Sequence, residues 1–249
     1  AARACAVWKP VVVPAGAGGG TPATLPDIPC LTAVAVPRAS RWNWAVHAGA
    51  QEGLLGRQVF QPRGRGLGGS SVINSMVYVR GHPHDYDRWA ADGNPGWTFS
   101  DVLPFFKKSE NNTRGPDYYH GSNGPITISE HAYTHKAHID FLEAAAAAGY
   151  QQNPDFNGRK LDGFGFFQLN LVKGKRCNIA KRYLDGVRSK TTLCVLIDTS
   201  AFKIESDQRQ AKSGLCRDQL GTIRLVATRA ITGCCAALQL PPLRMLSGL

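Results

Sequence analysis

Residues 61–81 read QPRGRGLGGSSVINSMVYVRG. Within them Gly64, Gly66 and Gly69 fall at the G-x-G-x-x-G spacing of a dinucleotide-binding turn, with Asp85 and Asp87 about 20 residues on, where such a turn places an acid for a ribose. That turn needs a buried strand directly before its first glycine, so that the following helix can aim its N-terminus at a pyrophosphate. Here the preceding GRQVFQPR is only half apolar and carries Pro62 beside the turn. The glycines therefore do not read as the nucleotide turn itself. Beyond them Ser70, Ser71 and Asn74 punctuate an apolar, partly β-branched run. Two readings stay open: short polar side chains and glycine backbone laid against a flat polar ligand, or a tight glycine turn whose serines cap a helix.

Downstream, HPHDYDRWAADG predicts a helix, with Pro83 in the first turn, Asp85 and Asp87 at the positive end of its dipole and Gly93 as the stop. Tyr86 and Trp89 should share its buried face. SDVLPFFKKSE predicts a second helix, capped by Ser100 with Pro104 in the first turn and Lys107 and Lys108 at the negative end. HIDFLEAAAAAGY predicts a third, stopped by Gly149. Strand patterns fall at Val11–Val13, near 43–47 and 57–61, in GFGFFQLNLV and in TTLCVLIDTSAFKIE. Residues 15–28 read as loop, and GTIRLVATRAITGCCAALQLPPLRMLSGL as a strand followed by an apolar helix broken at Pro241-Pro242. Strands interleaved with helices of this length predict an α/β or α+β fold.

The chain has 249 residues, 43% of them hydrophobic, enough to bury a core. Its 29 Lys and Arg against 18 Asp and Glu give a formal charge of +11. Those cations are spread singly, apart from a knot at KGKRCNIAKR (173–182), and a nucleic-acid binder would concentrate them on one face beside stacking aromatics. A solvated surface is the reading, with no nucleic-acid partner. The cysteines Cys5, Cys30, Cys177, Cys194, Cys216, Cys234 and Cys235 include no C-x-x-C and no His at metal spacing, so neither a disulfide framework nor a metal site is expected. Reduced thiols in an intracellular compartment fit better, against the weak counter-signal of the sequon Asn111-Asn112-Thr113. No run approaches the roughly 20 apolar residues of a membrane span.

The phrase PRGRGLGGSSVINSMVYVRGHPHDYDRWAADGNPGW resembles the first signature region of the glucose-methanol-choline oxidoreductases, flavoenzymes that oxidise alcohols, and is nearest in wording to their choline-dehydrogenase-like branch. The resemblance continues through DVLPFFKKSE, YHGSNGPITISE, FLEAAAAAGY, DFNGRKLDGFGFFQ and GKRCNIAKRYL to RLVATRAITGCCAALQLPPLRMLSGL, an eroded second signature. It implies a partial FAD-binding, Rossmann-like domain in residues 1–82 and 191–249, with a substrate or cap lobe inserted at 83–190. It implies FAD as cofactor and a small-molecule alcohol as substrate. It also implies that Gly68 and Gly69 let the backbone approach the flavin, that Ser70, Asn74, Ser75 and Val77 face the flavin or its pyrophosphate, and that Ala201 offers its backbone to the adenine. Mitochondria join the candidate compartments by the same resemblance.

The sequence departs from the family in four ways. No glycine turn precedes the first strand, and Pro14 stands where the family places the Glu that holds the adenosine ribose. The sequence stops at Leu249, just after Ser247-Gly248, so the expectation is a fragment without the catalytic His segment. In the second signature Cys234, Cys235, Leu240, Pro242 and Arg244 replace small, polar or aliphatic residues, and an Arg on a buried face would weaken the last helix. Of the histidines, His47, His82, His84, His120, His131, His135 and His138, each reads as a surface or helix-start residue, and no catalytic residue is assigned. In full-length relatives the chemistry would be hydride transfer from an alcohol carbon to flavin N5, with a His base taking the hydroxyl proton. The alternatives are a non-catalytic remnant that acts as a binding module and, resting only on the charge, a basic nucleic-acid binder.

Overall fold

The computed structural model describes residues 3–6, 11–12, 27–29, 42–187 and 193–249. Val13, Pro14 and most of the loop read at 15–28 lie outside them. Helices and strands are mixed, as the patterns predict, and the chain divides into two compact units, Ala1–Asn74 with Tyr183–Leu249, and Ser75–Arg182.

The first unit is built on a four-stranded sheet. Strands β12 (Ser200–Asp207), β13 (Gln210–Asp218) and β14 (Gly221–Val226) form an antiparallel meander, and β1 (Arg3–Ala6) pairs parallel to β14, giving the order β1-β14-β13-β12. The first hairpin turns through Gln208 and Arg209, both left-handed (φ 45° and 67°), the two-residue geometry that matches strand twist. Across the meander Glu205 accepts from Ser213 and, at 2.6 Å, from Arg224 Nε. Two short pairs accompany the sheet: β2 (Val11–Val12) with β11 (Cys194–Val195), parallel, and β3 (Val46–His47) with β4 (Phe60–Gln61), antiparallel.

The last helix of this unit, Ala236–Ser247, corrects the sequence reading. It runs unbroken through Pro241 and Pro242 and ends on left-handed Gly248. Leu243 is its buried contact, and Ser247 Oγ accepts the Ile204 amide of β12 at 2.8 Å. Arg244 is exposed and not on the buried face, so it exacts no desolvation cost.

The second unit holds helices α1 (Pro83–Ala91), α2 (Phe99–Ser109) and α3 (Lys136–Ala147), a short α4 (Ile179–Tyr183, its last residue beyond the unit), and three strand ladders. The ladders are β5 (Val77–Tyr78) with β8 (Gln168–Leu169), β6 (Glu110–Asn112) with β7 (Ile126–Ile128), and β9 (Leu171–Val172) with β10 (Lys175–Arg176). Its apolar centre is Ile126, Ile128 and Cys177, with Tyr78 and Val172 packed on it. α1 starts as predicted at Pro83, inside a capping box of His82 and Asp85. Trp89 does not share the buried face: Tyr86 is buried, whereas Trp89 is 49% exposed and meets Tyr86 and Trp97 edge-on. α2 is capped by Thr98 and not Ser100, which moves Pro104 from the first turn into the helix interior.

Candidate flavin loop and a buried ionic cluster

The 61–81 stretch folds as a turn of 3-10 helix, Gly69–Val72, entered through Gly68 (φ 104°) and Gly69 (φ 56°) and followed by β5. The helix of the serine-capped reading is thus a single 3-10 turn. Its serines do not cap it. Ser70 Oγ accepts the Gly64 amide at 3.1 Å, and Ser71 Oγ donates to the Gly68 carbonyl at 2.7 Å. Gly64 is required by contact: a Cβ there would lie 2.3 Å from the Gly69 oxygen and 2.6 Å from Ser70 Cα. The first glycine of the motif thus serves the loop's packing on itself.

The side chains sort cleanly by face. Ser71, Val72, Ile73 and Met76 are buried, whereas Gly69, Ser70, Asn74, Ser75 and Val77 are exposed and Gly68 is half-buried. Met76 takes a left-handed conformation (φ 62°) that is unusual for a side-chain-bearing residue, and strain of this kind concentrates where geometry serves a ligand. Ala201, half-buried, lies on β12, an edge strand beside an irregularity between Ala201 and Lys203. Backbone groups of an edge strand that face away from the ladder are open to other partners. Short polar side chains, exposure and glycine backbone are what lets a chain approach a flat polar ligand closely.

In the second unit the structure assembles a group that no motif announced. Glu110 is fully buried on β6 and receives the Arg80 guanidinium, Asn112 Nδ2 at 2.7 Å and His120 Nδ1 at 2.8 Å. His120, 2% exposed, faces Asp155 Oδ2 through Nε2 at 2.9 Å. Arg80 also donates to the Tyr119 carbonyl at 2.8 Å and lies over the Phe106 ring at 5.2 Å. A polar branch runs on through Gln168 to Glu130, which Arg114 Nε approaches at 2.6 Å.

Burial opposes charge on His120, but hydrogen bonds to Asp155 and Glu110, with their negative charges, outweigh it and raise its pKa to about 9. Burial would raise Asp155, yet the His120 hydrogen bond and the Asn157 amide hold it below the ordinary carboxylate range. Glu130 is lowered in the same way, burial being overcome by Arg114 and Gln168. His120 is therefore not the surface or helix-start residue that the sequence suggests. His82 and His135 do cap α1 and α3. The basic knot at 173–182 divides: Lys173 and Lys175 are exposed, whereas Arg176 is buried. Among the described residues no cluster of His, Cys, Asp and Glu could hold a metal ion, and no helix is long and apolar enough to cross a membrane.

The GMC oxidoreductase family model matches residues 16–249. The chain belongs to the GMC oxidoreductase family. Human mitochondrial choline dehydrogenase is 37% identical over 209 residues, covering 84% of this chain and 35% of the relative. The oxygen-dependent choline dehydrogenase of Rhizobium etli is 33% identical over 226 residues, 90% of this chain and 41% of that one. The chain thus spans well under half the length of these relatives. Among solved structures, pyridoxine 4-oxidase from Mesorbium loti superposes with a TM-score of 0.88 at 28% identity, covering 97% of this chain and 47% of that one. A formate oxidase superposes at 0.82 with 23% identity, a likeness of fold, over 96% of this chain and 43% of its own. The fold is accordingly that of a GMC oxidoreductase with a Rossmann-like FAD-binding region. FAD is the cofactor that family membership implies, and the relatives are choline dehydrogenases.

Proposed function

We propose that this chain is the cofactor-side part of an FAD-dependent oxidoreductase that acts on the CH–OH group of an alcohol, in the manner of the choline dehydrogenases it resembles. The observation that carries this reading is the outward set Gly69, Ser70, Asn74, Ser75 and Val77 on a loop whose apolar residues are buried. In it Ser70, Asn74, Ser75 and Val77 face the flavin or its pyrophosphate, Gly68 and Gly69 permit the approach, and the Ala201 backbone meets the adenine. FAD, when bound, supplies the hydride acceptor for alcohol oxidation. The chain's own residues hold and orient it. Residues 1–82 and 191–249 form the FAD-binding part and 83–190 the substrate or cap lobe. An intracellular location, with mitochondria a candidate through the human relative, goes with this reading.

A second reading, a non-catalytic remnant acting as a binding module, is favoured by Pro14. Proline supplies neither a carboxylate nor an N–H to a ribose. Each charge-assisted hydrogen bond lost costs about 1.5–3 kcal/mol. The test is to add FAD to the purified chain, desalt, record the visible spectrum and assay dye reduction with choline and simple primary alcohols, beside the native polypeptide that carries this sequence. Choline-dependent dye reduction by a yellow native polypeptide supports the enzyme reading, with the isolated chain colourless and inactive. A native polypeptide that binds no flavin and oxidises no alcohol sinks it in favour of the remnant.

A further inference from the structure

The residues that follow the candidate flavin loop are held from two sides by one buried histidine. Both ring nitrogens of His120 face carboxylate oxygens, Glu110 Oε1 at 2.8 Å and Asp155 Oδ2 at 2.9 Å. Ionised carboxylates only accept, and a neutral imidazole carries one N–H. Only the doubly protonated ring fills both contacts. From each carboxylate a hydrogen-bonded path then leads to residues 78–80. The second oxygen of Glu110 binds the Arg80 guanidinium. The second oxygen of Asp155 accepts the Asn157 amide at 2.9 Å, while Asn157 Oδ1 accepts the Arg80 backbone N–H at 2.9 Å and Asn157 Nδ2 donates to the Tyr78 carbonyl at 3.1 Å. The two paths close on the same short segment, one through its side chain and one through its backbone.

We propose that His120 is a positioning residue which, as a buried cation bridging Glu110 and Asp155, anchors the backbone of residues 78–80 at the exit of the loop that ends at Val77. The value of that anchoring to a cofactor rests on the flavin reading above, but the anchoring itself is a property of the chain without flavin. Four charges balance within the cluster: Arg80 and His120 against Glu110 and Asp155. The other titratable groups facing it are Tyr78 on β5, the phenol pushed up by burial against the lowering effect of Arg80, Asp117, which accepts the His120 backbone N–H at 2.6 Å, and Arg114, whose charge acts on Asp155. If His120 loses a proton, one ring nitrogen no longer donates to its carboxylate; at Nδ1 the freed lone pair faces Asn112 Nδ2, 3.1 Å away, as well as Glu110 Oε1. That carboxylate contact is lost, and one of the two paths opens.

The sign follows. A histidine whose folded pKa of about 9 stands above its ordinary 6.5 contributes anchoring that is complete below pH 6.5 and lost as the pH rises through about 9. The Asp155 side, lowered, is lost in acid. Between these limits the segment is clamped.

The test uses the 249-residue chain without flavin: amide hydrogen exchange at residues 78–81 from pH 5 to 10, expressed as protection factors, with imidazole titration by NMR. The expected result is a His120 resonance that titrates near 9, and protection of the Arg80 amide that is level below about pH 6.5, falls by up to about tenfold per pH unit between 6.5 and 9, and is level again above 9. Amides of β12–β14 should not follow it. His120→Gln can satisfy only one carboxylate and should show low protection at 78–81 at every pH, with no alkaline step. A His120 that titrates near 6.5, or a His120→Gln chain with wild-type protection and profile, overturns the proposal. Should His120→Gln fail to fold, Asp155→Asn serves instead: it should lower the His120 titration and move the alkaline step to lower pH, and an unmoved step overturns the proposal equally. Since no measurement involves flavin, its failure is separate from any failure of the loop to meet FAD.

Discussion

Replacing Gly64 by Ala should damage the candidate flavin loop more than replacing Gly69, although Gly69 is the residue with the left-handed backbone. A Cβ at Gly64 would stand 2.3 Å from the Gly69 oxygen, 2.6 Å from Ser70 Cα and 2.7 Å from the Gly69 carbonyl carbon. All three are backbone atoms, so no rotamer change relieves the clash. They belong to the start of the 3-10 turn whose Ser71 and Val72 are buried, and the Gly64 amide bonds Ser70 Oγ at 3.1 Å. Overpacking of this kind costs roughly 1–3 kcal/mol and the lost hydrogen bond about 1, giving about 2–4 kcal/mol. At Gly69 a Cβ meets nothing within 4 Å, so only the left-handed conformation (φ 56°) is penalised, about 1–2 kcal/mol. The assay is urea denaturation of both variants, with exchange of the amides at 64–73 to localise the effect. A Gly69→Ala variant as unstable as Gly64→Ala, or more so, would refute the reasoning that Gly64 is there for backbone contact.

Glu110→Ala should lower stability by about 3–5 kcal/mol in thermal or urea unfolding, because it leaves Arg80 and His120 buried without their shared carboxylate. Asp155 and Glu130 contribute stability that is present above their ordinary pKa and lost as pH falls through the lowered values, so the melting temperature should drop below about pH 4, an acid limb that Asp155→Asn should shrink. Pro242→Ala should lengthen the hydrogen-bonding of the last helix and stabilise it, by up to about 3 kcal/mol, as read by helicity and denaturation midpoint.

The elements that could be read in the sequence were those whose signal is local. Pro83 and Asp85 mark the start of α1 because a helix N-terminus needs groups within a few residues. Ser100 reads as a cap because its hydroxyl lies 2.9 Å from that of Thr98, but Ser100 is already inside α2, and Asp101 closes its box on Thr98. β13 gave no strand signal: Lys212, Gly214, Arg217 and Asp218 interrupt its pattern, and only Ser213 and Cys216 are buried along it. The last helix seemed broken because Pro241 and Pro242 lack amides, yet Leu243 is buried beyond them and Ser247 ties the helix to β12. The Arg80–Glu110–His120–Asp155 cluster was invisible because its members come from segments up to 75 residues apart. A lone His in YHGSNGP carries no periodicity to betray it. For the candidate flavin loop, motif spacing alone points to a nucleotide turn that the half-apolar segment before Gly64 does not support, and its reading as a flavin loop rests on the wording of the whole phrase.

The central claim is that the outward side of residues 68–77, together with Ala201, meets FAD. It is tested most directly by amide hydrogen exchange of the chain in the absence and presence of several millimolar FAD, a concentration chosen because binding by the isolated chain should be weak. Increased protection is expected at residues 68–77 and around Ala201, with no change at 110–160 and a reduced protection gain in an Asn74→Ala, Ser75→Ala double variant. Protection gained elsewhere with none at 68–77 and Ala201, or no response to FAD at any amide, would contradict it.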